Sequence, residues 1–207
     1  MRRFAHAALA VLAALSAGGC LGKRVDLRPV SPAQEVFIPL QCQAEPPDAV
    51  TWRVLLQRGK RESVFTVLVE QHYDGELRVA GISDLGTTLF LGVAHNNGNM
   101  TVHANKTGMS DRRLSQTVLL DATIPFLIPP EHAACHMLDD GRLALVARPA
   151  PRRSHIFVYD PDGRLVEFWR LRRKRLVHSA RCDVPGSWNG YAVRHYPQCY
   201  TATYRPL

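Results

Sequence analysis

The chain has 207 residues, 46% apolar and 21% charged, a balance that excludes intrinsic disorder, which needs few apolar residues and many charges. Its 14 Gly and 14 Pro are scattered rather than periodic, which excludes collagen-like and coiled-coil architectures, and the length suits one domain. The formal net charge of +8 rests on 22 Arg against 4 Lys and suits acidic surfaces such as lipid headgroups as well as nucleic acid.

Residues 1–20 read MRRFAHAALAVLAALSAGGC. Arg2 and Arg3 give a positive start. Ala7 to Leu15 is an apolar run shorter than the roughly 20 residues that span a bilayer, and small residues follow it. This layout predicts a secretory signal peptide over residues 1–19. Ala17-Gly18-Gly19-Cys20 resembles the bacterial lipobox, with Ala17 where Leu is usual. The resemblance implies cleavage before Cys20, which removes two of the positive charges, and acylation of Cys20. The alternative is an ordinary signal peptide with a fortuitous cysteine. One acyl chain anchors marginally and two or more anchor stably, so a three-chain anchor would fix the chain at a membrane lipid surface. Leu21 rather than Asp follows the cysteine, and by resemblance to Gram-negative lipoproteins this implies the periplasmic face of the outer membrane. Nothing after residue 20 is apolar enough to span. Residues 20–49 are expected to be tether and junction, and residues 50–207 the folded domain.

From Thr51 to Asn105 the sequence predicts an antiparallel meander of four or five strands. Phe65, Val67 and Val69 share one strand face and Val64 and Leu68 the other. Asp74-Gly75 is a hairpin signal, Leu77 to Gly81 alternates with period two, and Asn96-Asn97-Gly98-Asn99 is a strong turn. At Ser110 the pattern changes. Ser110-Asp111 is an N-cap signal, and Leu114, Val118 and Ala122 form one helical stripe. Pro125 ends that helix, and Pro130 is expected to open a short second one over Glu131 to Met137. Strands resume at Arg142–Arg148, Ser154–Asp160, Arg164–Leu171, Leu176–Arg181, Tyr191–Tyr196 and Tyr200–Tyr204, with turns at Asp139-Asp140-Gly141 and Pro161-Asp162-Gly163. The fold class read from this order is α+β: a single antiparallel, strongly curved sheet, an incomplete β-barrel, with a short helical lid.

Four cysteines follow Cys20, and an oxidising compartment favours disulfides among them. Three pairings are open. Cys182 and Cys199 flank a C-terminal hairpin, which favours that pair and leaves Cys42 with Cys135. No CxxC occurs, and His132 and His136 around Cys135 lack the Glu that zinc proteases place after their first His, so no metal and no cofactor are expected.

Several strands are apolar on both faces, where a sheet with one wet face alternates cleanly. Two readings remain: a closed barrel or sandwich with a packed core, or a curved sheet whose concave face holds an apolar ligand. The run Glu76 to Phe90, with Leu85-Gly86 between strands, and the helix that precedes Pro129-Pro130 resemble the LolA/LolB-like lipoprotein fold. The nearest resemblance is to the uncharacterised LolB-related lipoproteins grouped as DUF3261. That resemblance implies an incomplete barrel with a helical lid over a hydrophobic cavity that receives acyl chains. The candidate cavity residues are Phe65, Val67, Leu77, Val79, Leu89, Leu91, Ile124, Phe126 and Leu127. Four mature cysteines and the lack of an exposed-Leu loop depart from the LolB pattern.

No GxSxG, P-loop or GxGxxG is present, and no catalytic residues are expected. Asp121 and Asp139-Asp140 read as solvated turn formers. The run Arg170 to Arg175 (RLRRKR) reads as a solvated strand end or as a contact for anionic headgroups, and Trp188 with Tyr191, Tyr196, Tyr200 and Tyr204 as strand packing. The function read from the sequence is a non-catalytic, outer-membrane-anchored lipoprotein that binds or hands over an acyl chain, a lipid or lipoprotein ligand, with no nucleic-acid partner. Its rival is a structural lipoprotein with a packed core, partnered by an envelope protein.

Overall fold

The computed structural model describes residues 23–29, 48–95, 99–127 and 133–207. The signal peptide, Cys20, Cys42, the Asn96–Gly98 turn, Pro129-Pro130 and His132 lie outside those residues.

Thirteen strands form one antiparallel sheet: β1 Arg28–Pro29, β2 Ala49–Arg58, β3 Arg61–Gln71, β4 Leu77–Ile82, β5 Thr88–Ala94, β6 Met100–Asn105, β7 Ala134–Met137, β8 Leu143–Ala150, β9 Arg153–Tyr159, β10 Leu165–Arg172, β11 Arg175–Val184, β12 Ser187–His195 and β13 Tyr200–Pro206. Their order is β1-β7-β8-β9-β10-β11-β12-β13-β2-β3-β4-β5-β6. The expected meanders are both present. They are joined through β13 and β2, with Tyr204 opposite Val54. Turn chemistry sets the hairpins. Gly75, Gly141 and Gly163 have φ near +80°, a region costly for residues with a Cβ, and the Asp74 carboxylate accepts from the Glu76 amide at 2.9 Å.

Because β6 and β7 lie far apart in this order, the chain must cross from one half of the sheet to the other between them. The helix α1 makes that crossing. It runs through Asp111–Leu114, a π-helical turn Ser115–Leu119, Leu120–Thr123 and a 3-10 turn Ile124–Phe126. Ser110 caps it, its side chain accepting from the Arg113 amide at 3.4 Å. The expected stripe is buried, with Leu114, Val118 and Ala122 closed to solvent. A Cβ on Gly92 would stand 2.8 Å from Leu119 Cδ1, so glycine there lets α1 settle against β5. The sheet curves about the helix, and residues of β2–β5, β9–β13 and α1 share one core.

The doubly apolar strands find two covers. In β9, Phe157 and Tyr159 face the main core, while Ile156 and Val158 face a second cluster on the opposite side. Val25 and Leu27 pack on that second cluster. Residues 23–29, placed by sequence in the tether, therefore lie against the sheet: the Lys23 carbonyl accepts from Leu176 N at 3.0 Å, and Val25 N donates to the Lys174 carbonyl at 3.2 Å. The expected second helix is corrected: Ala134–Met137 is β7, paired with β8 from Ala134–Val146 to Met137–Leu143. Ladder hydrogen bonds on both flanks, to β1 and β8, outweigh the weak helical preference of so short a segment.

Candidate functional site

A hollow of about 460 Å³ opens between the start of α1 and the ends of β2, β3, β5 and β13. Its apolar lining comes from Leu56, Phe65, Leu89, Phe90, Met109 and Val118. Arg58, Arg61, Lys106 and Arg113 stand around it, and among the described residues no carboxylate lines it. Arg113 is steadied by Nε donating to Gln198 Oε1 at 3.0 Å. The volume lies within the roughly 300–1,000 Å³ usual for small-ligand sites. An apolar interior under a ring of cations can hold an apolar chain that ends in an anionic group.

Of the nine cavity residues expected from sequence, Phe65 and Leu89 line this hollow. Val67, Leu77, Val79 and Ile124 are buried in the packed core, and Phe126 and Leu127 pack against it half-buried. Phe126 sets its ring edge-on to Trp52 at 6.5 Å. Leu91 is corrected: it is 42% exposed and borders a shallow depression of the outer face with Leu68, Arg78 and His103. The register slips by one residue at Gly81–Ile82, opposite Phe90 and Thr88, so Leu89 has no partner on β4. A bulged residue is re-aimed in this way, which is how Leu89 joins the hollow while Leu91 does not. The cations were not singled out by sequence, although Gly59-Lys60 between Arg58 and Arg61 marks a basic hairpin.

Tyr200 lines the hollow on one side and on the other belongs to a buried polar cluster. Its hydroxyl donates to Asp121 Oδ2 at 2.6 Å. His178 Nε2 stands 2.6 Å from Asp121 Oδ1, and the Tyr191 hydroxyl donates to the Asp121 carbonyl at 3.0 Å. His195 stacks on Tyr200 with ring centroids 5.2 Å apart. Burial first, and then the Asp121 charge, raise the tyrosines 191, 200 and 204 well above their ordinary pKa, so they stay protonated donors. Burial pushes His155 and His195 down to about 4, so both are neutral near pH 7. Asp121 was expected to be solvated and is instead fully buried. The available signal was its place three residues after Val118 and seven after Leu114, on the apolar face of the helix. One carboxylate on α1 thus gathers donors from β11 and β13, and the backbone carbonyl of the same residue takes one from β12.

A second polar set sits at the opposite end of the sheet. His95 lies 2.6 Å from Glu76 through Nδ1 and 2.8 Å from Thr101 Oγ1 through Nε2. It lies at the β5–β6 end, away from the apolar hollow. Among the described residues, no group of three His, Cys, Asp or Glu side chains is placed to hold a metal ion.

The expected cysteine pairs are corrected. Cys182 is a buried free thiol that donates to the Leu165 carbonyl at 3.6 Å, and Cys135 is a half-buried free thiol, so neither Cys182–Cys199 nor Cys42–Cys135 forms. Register gives the reason for the first. Cys182 sits opposite Tyr191, whereas Cys199 lies beyond the His195–Tyr200 pair. Four residues of strand separate those levels, roughly 13 Å, beyond the Cα reach of a disulfide.

No protein family and no curated protein matches the chain in sequence. Similar solved structures include a domain from Vibrio parahaemolyticus described as an outer membrane lipoprotein-sorting protein domain. It is 9% identical with a TM-score of 0.41, aligned over 76% of this chain and 82% of that one. A DUF1329 family protein from Desulfovibrio piger is likewise 9% identical, with a TM-score of 0.38 over 80% of this chain and 85% of that one.

Proposed function

We infer that the protein is a non-catalytic lipoprotein of the bacterial outer membrane, anchored through Cys20, that holds an acyl chain in the hollow between α1 and the sheet. The observation that carries this reading is the combination of an apolar interior with four cations around it and, among the described residues, no carboxylate in its lining. Desolvation of the chain drives binding, at roughly 25 cal/mol per Å² of apolar surface, and the cations select an acidic terminus. The non-catalytic part of the reading is supported by the placing of Asp121 and His178, which are closed to solvent and spent on fastening α1.

The test is titration of a fluorescent fatty-acyl probe into the purified protein. Saturable binding is expected, with loss in Leu89→Gln and about tenfold weakening when Arg58 and Arg61, both exposed, are changed to Gln, since exposed ion pairs are worth up to about 1 kcal/mol each. A wild type that ignores the probe, or a Leu89→Gln protein that binds it unchanged, overturns the reading.

A further inference from the structure

The hairpin turns alternate between two ends of the sheet, and charge separates between them. At one end the β8–β9 hairpin carries Arg148 and Arg153 on its strands and Arg152 in its turn, and the β10–β11 turn carries Arg173 and Lys174, all exposed. These five border a hollow of about 860 Å³ whose one carboxylate is Asp26, which faces Arg24 at 3.5 Å. The same end holds the β2–β3 turn and hence the mouth of the apolar hollow. The opposite end carries Asp74, Asp140 and Asp162 in its turns and Asp183 near the end of β11. On the basic end Asp84 is engaged by Arg53 at 2.9 Å.

The cations of the β10–β11 turn are held at a conformational cost. Arg173 and Lys174 have φ of +50° and +63°, in a two-residue hairpin whose relaxed sequence is Asn-Gly. Non-glycine residues in that region mark places where function constrains the backbone. The N-terminal segment is fastened to this same turn, through Lys23 to Leu176 and Val25 to Lys174. Two residues separate Cys20 from Lys23, so the three Cα steps between them reach at most about 11 Å.

We propose that the basic end is a docking surface for an anionic lipid bilayer, which sets the mouth of the apolar hollow against the headgroups. What docking delivers rests on the acyl-chain reading above; the charged surface stands independently of it. Anionic headgroups attract clustered Lys and Arg within a Debye length. Lys23, the cations and the mouth all share one end of the sheet. Neither turn exposes an aromatic ring of the kind that stacks single-stranded nucleic acid.

The full-length protein is titrated onto vesicles of phosphatidylcholine alone and of phosphatidylcholine mixed with phosphatidylglycerol, at low and high salt. Binding to the anionic vesicles is expected to be roughly tenfold tighter at low salt, with the preference shrinking as salt rises. Arg173→Asn with Lys174→Gly removes two charges while supplying the residues that the turn prefers, so the fold is kept and most of the preference is lost. Arg164→Gln, at the acidic end, leaves the preference intact. Equal binding to both vesicles, an unchanged preference in the double variant, or indifference to vesicles with tight binding of a short DNA duplex overturns the proposal. Probe binding without vesicles reports the hollow separately, so failure of one reading is distinguished from failure of the other.

Discussion

His178 on β11 and Asp121 on α1 stand 2.6 Å apart, Nε2 to Oδ1, with both side chains closed to solvent. Tyr200 reaches the other carboxylate oxygen, so the helix that crosses the sheet is fastened at one residue to strands of the C-terminal half. A buried carboxylate is costly to desolvate, and its partners are costly to leave unpaired.

Replacing Asp121 by Ala should therefore destabilise the protein by about 3 kcal/mol or more, read as a shift of the urea midpoint with an unchanged slope. Asp121→Asn keeps the shape and one acceptor and should cost less. Equal, small losses in the two variants would remove the cluster from the stability of the fold.

Acid should loosen the same region. His155 and His195 have folded pKa values near 4 against 6.5 for the free side chain, so below pH 6.5 the unfolded chain binds more protons than the folded one. Stability is then full above pH 6.5 and falls as the pH drops towards 4, by on the order of 3 kcal/mol for each histidine. His195→Gln should flatten that slope in denaturation measured across this range. A slope that is unchanged in both single variants, His155→Gln and His195→Gln, counts against neutral buried histidines.

The two free thiols should differ in reactivity. Burial lifts Cys182 to about 12 and also raises half-buried Cys135, and only an accessible thiolate reacts. Iodoacetamide should label half-buried Cys135 in the native protein, and Cys182 after denaturation, with peptide mass spectrometry as the readout. Labelling of Cys182 at the native rate of Cys135 would contradict its burial.

Wall and core should respond differently to polarity. Leu89→Gln faces a hollow that water can fill and should cost under about 1 kcal/mol. Val67→Asn places an amide in a closed core and should cost about 2–4 kcal/mol from lost burial and unpaired groups. Thermal melts of the two proteins decide this. Similar large losses would mean that Leu89 is core.

The alternation of Phe65, Val67 and Val69, the Asp-Gly turns and the Ser110 cap are local signals, and the strands and helix that they predict are all present. The failures arise where neighbours distant in sequence decide. Leu165 and Phe168 face one core although strict alternation separates them, because the register slips between Leu165 and Glu167. Val166 and Trp169 consequently face the other side. Ala134–Met137 becomes a strand because β8 offers it a ladder. The hollow depends on a bulge at Leu89 and on cations from the β2–β3 hairpin, the segment after β6 and the helix, and no spacing along the chain announces that convergence. Asp121 was legible in part, since helical phase puts it on the buried face, but its donors come from strands more than fifty residues away in sequence.

The joining of β13 to β2 has a kinetic consequence. Tyr204 lies opposite Val54, so that contact closes a loop of roughly 150 residues, an entropic cost paid before the seam returns any energy. Each meander can zip locally, hairpin by hairpin, but Trp52 meets the stacked Tyr191 and Tyr204 only when the two halves come together. Docking of preformed halves then sets the folding rate, and the change in Trp52 fluorescence marks the slow phase.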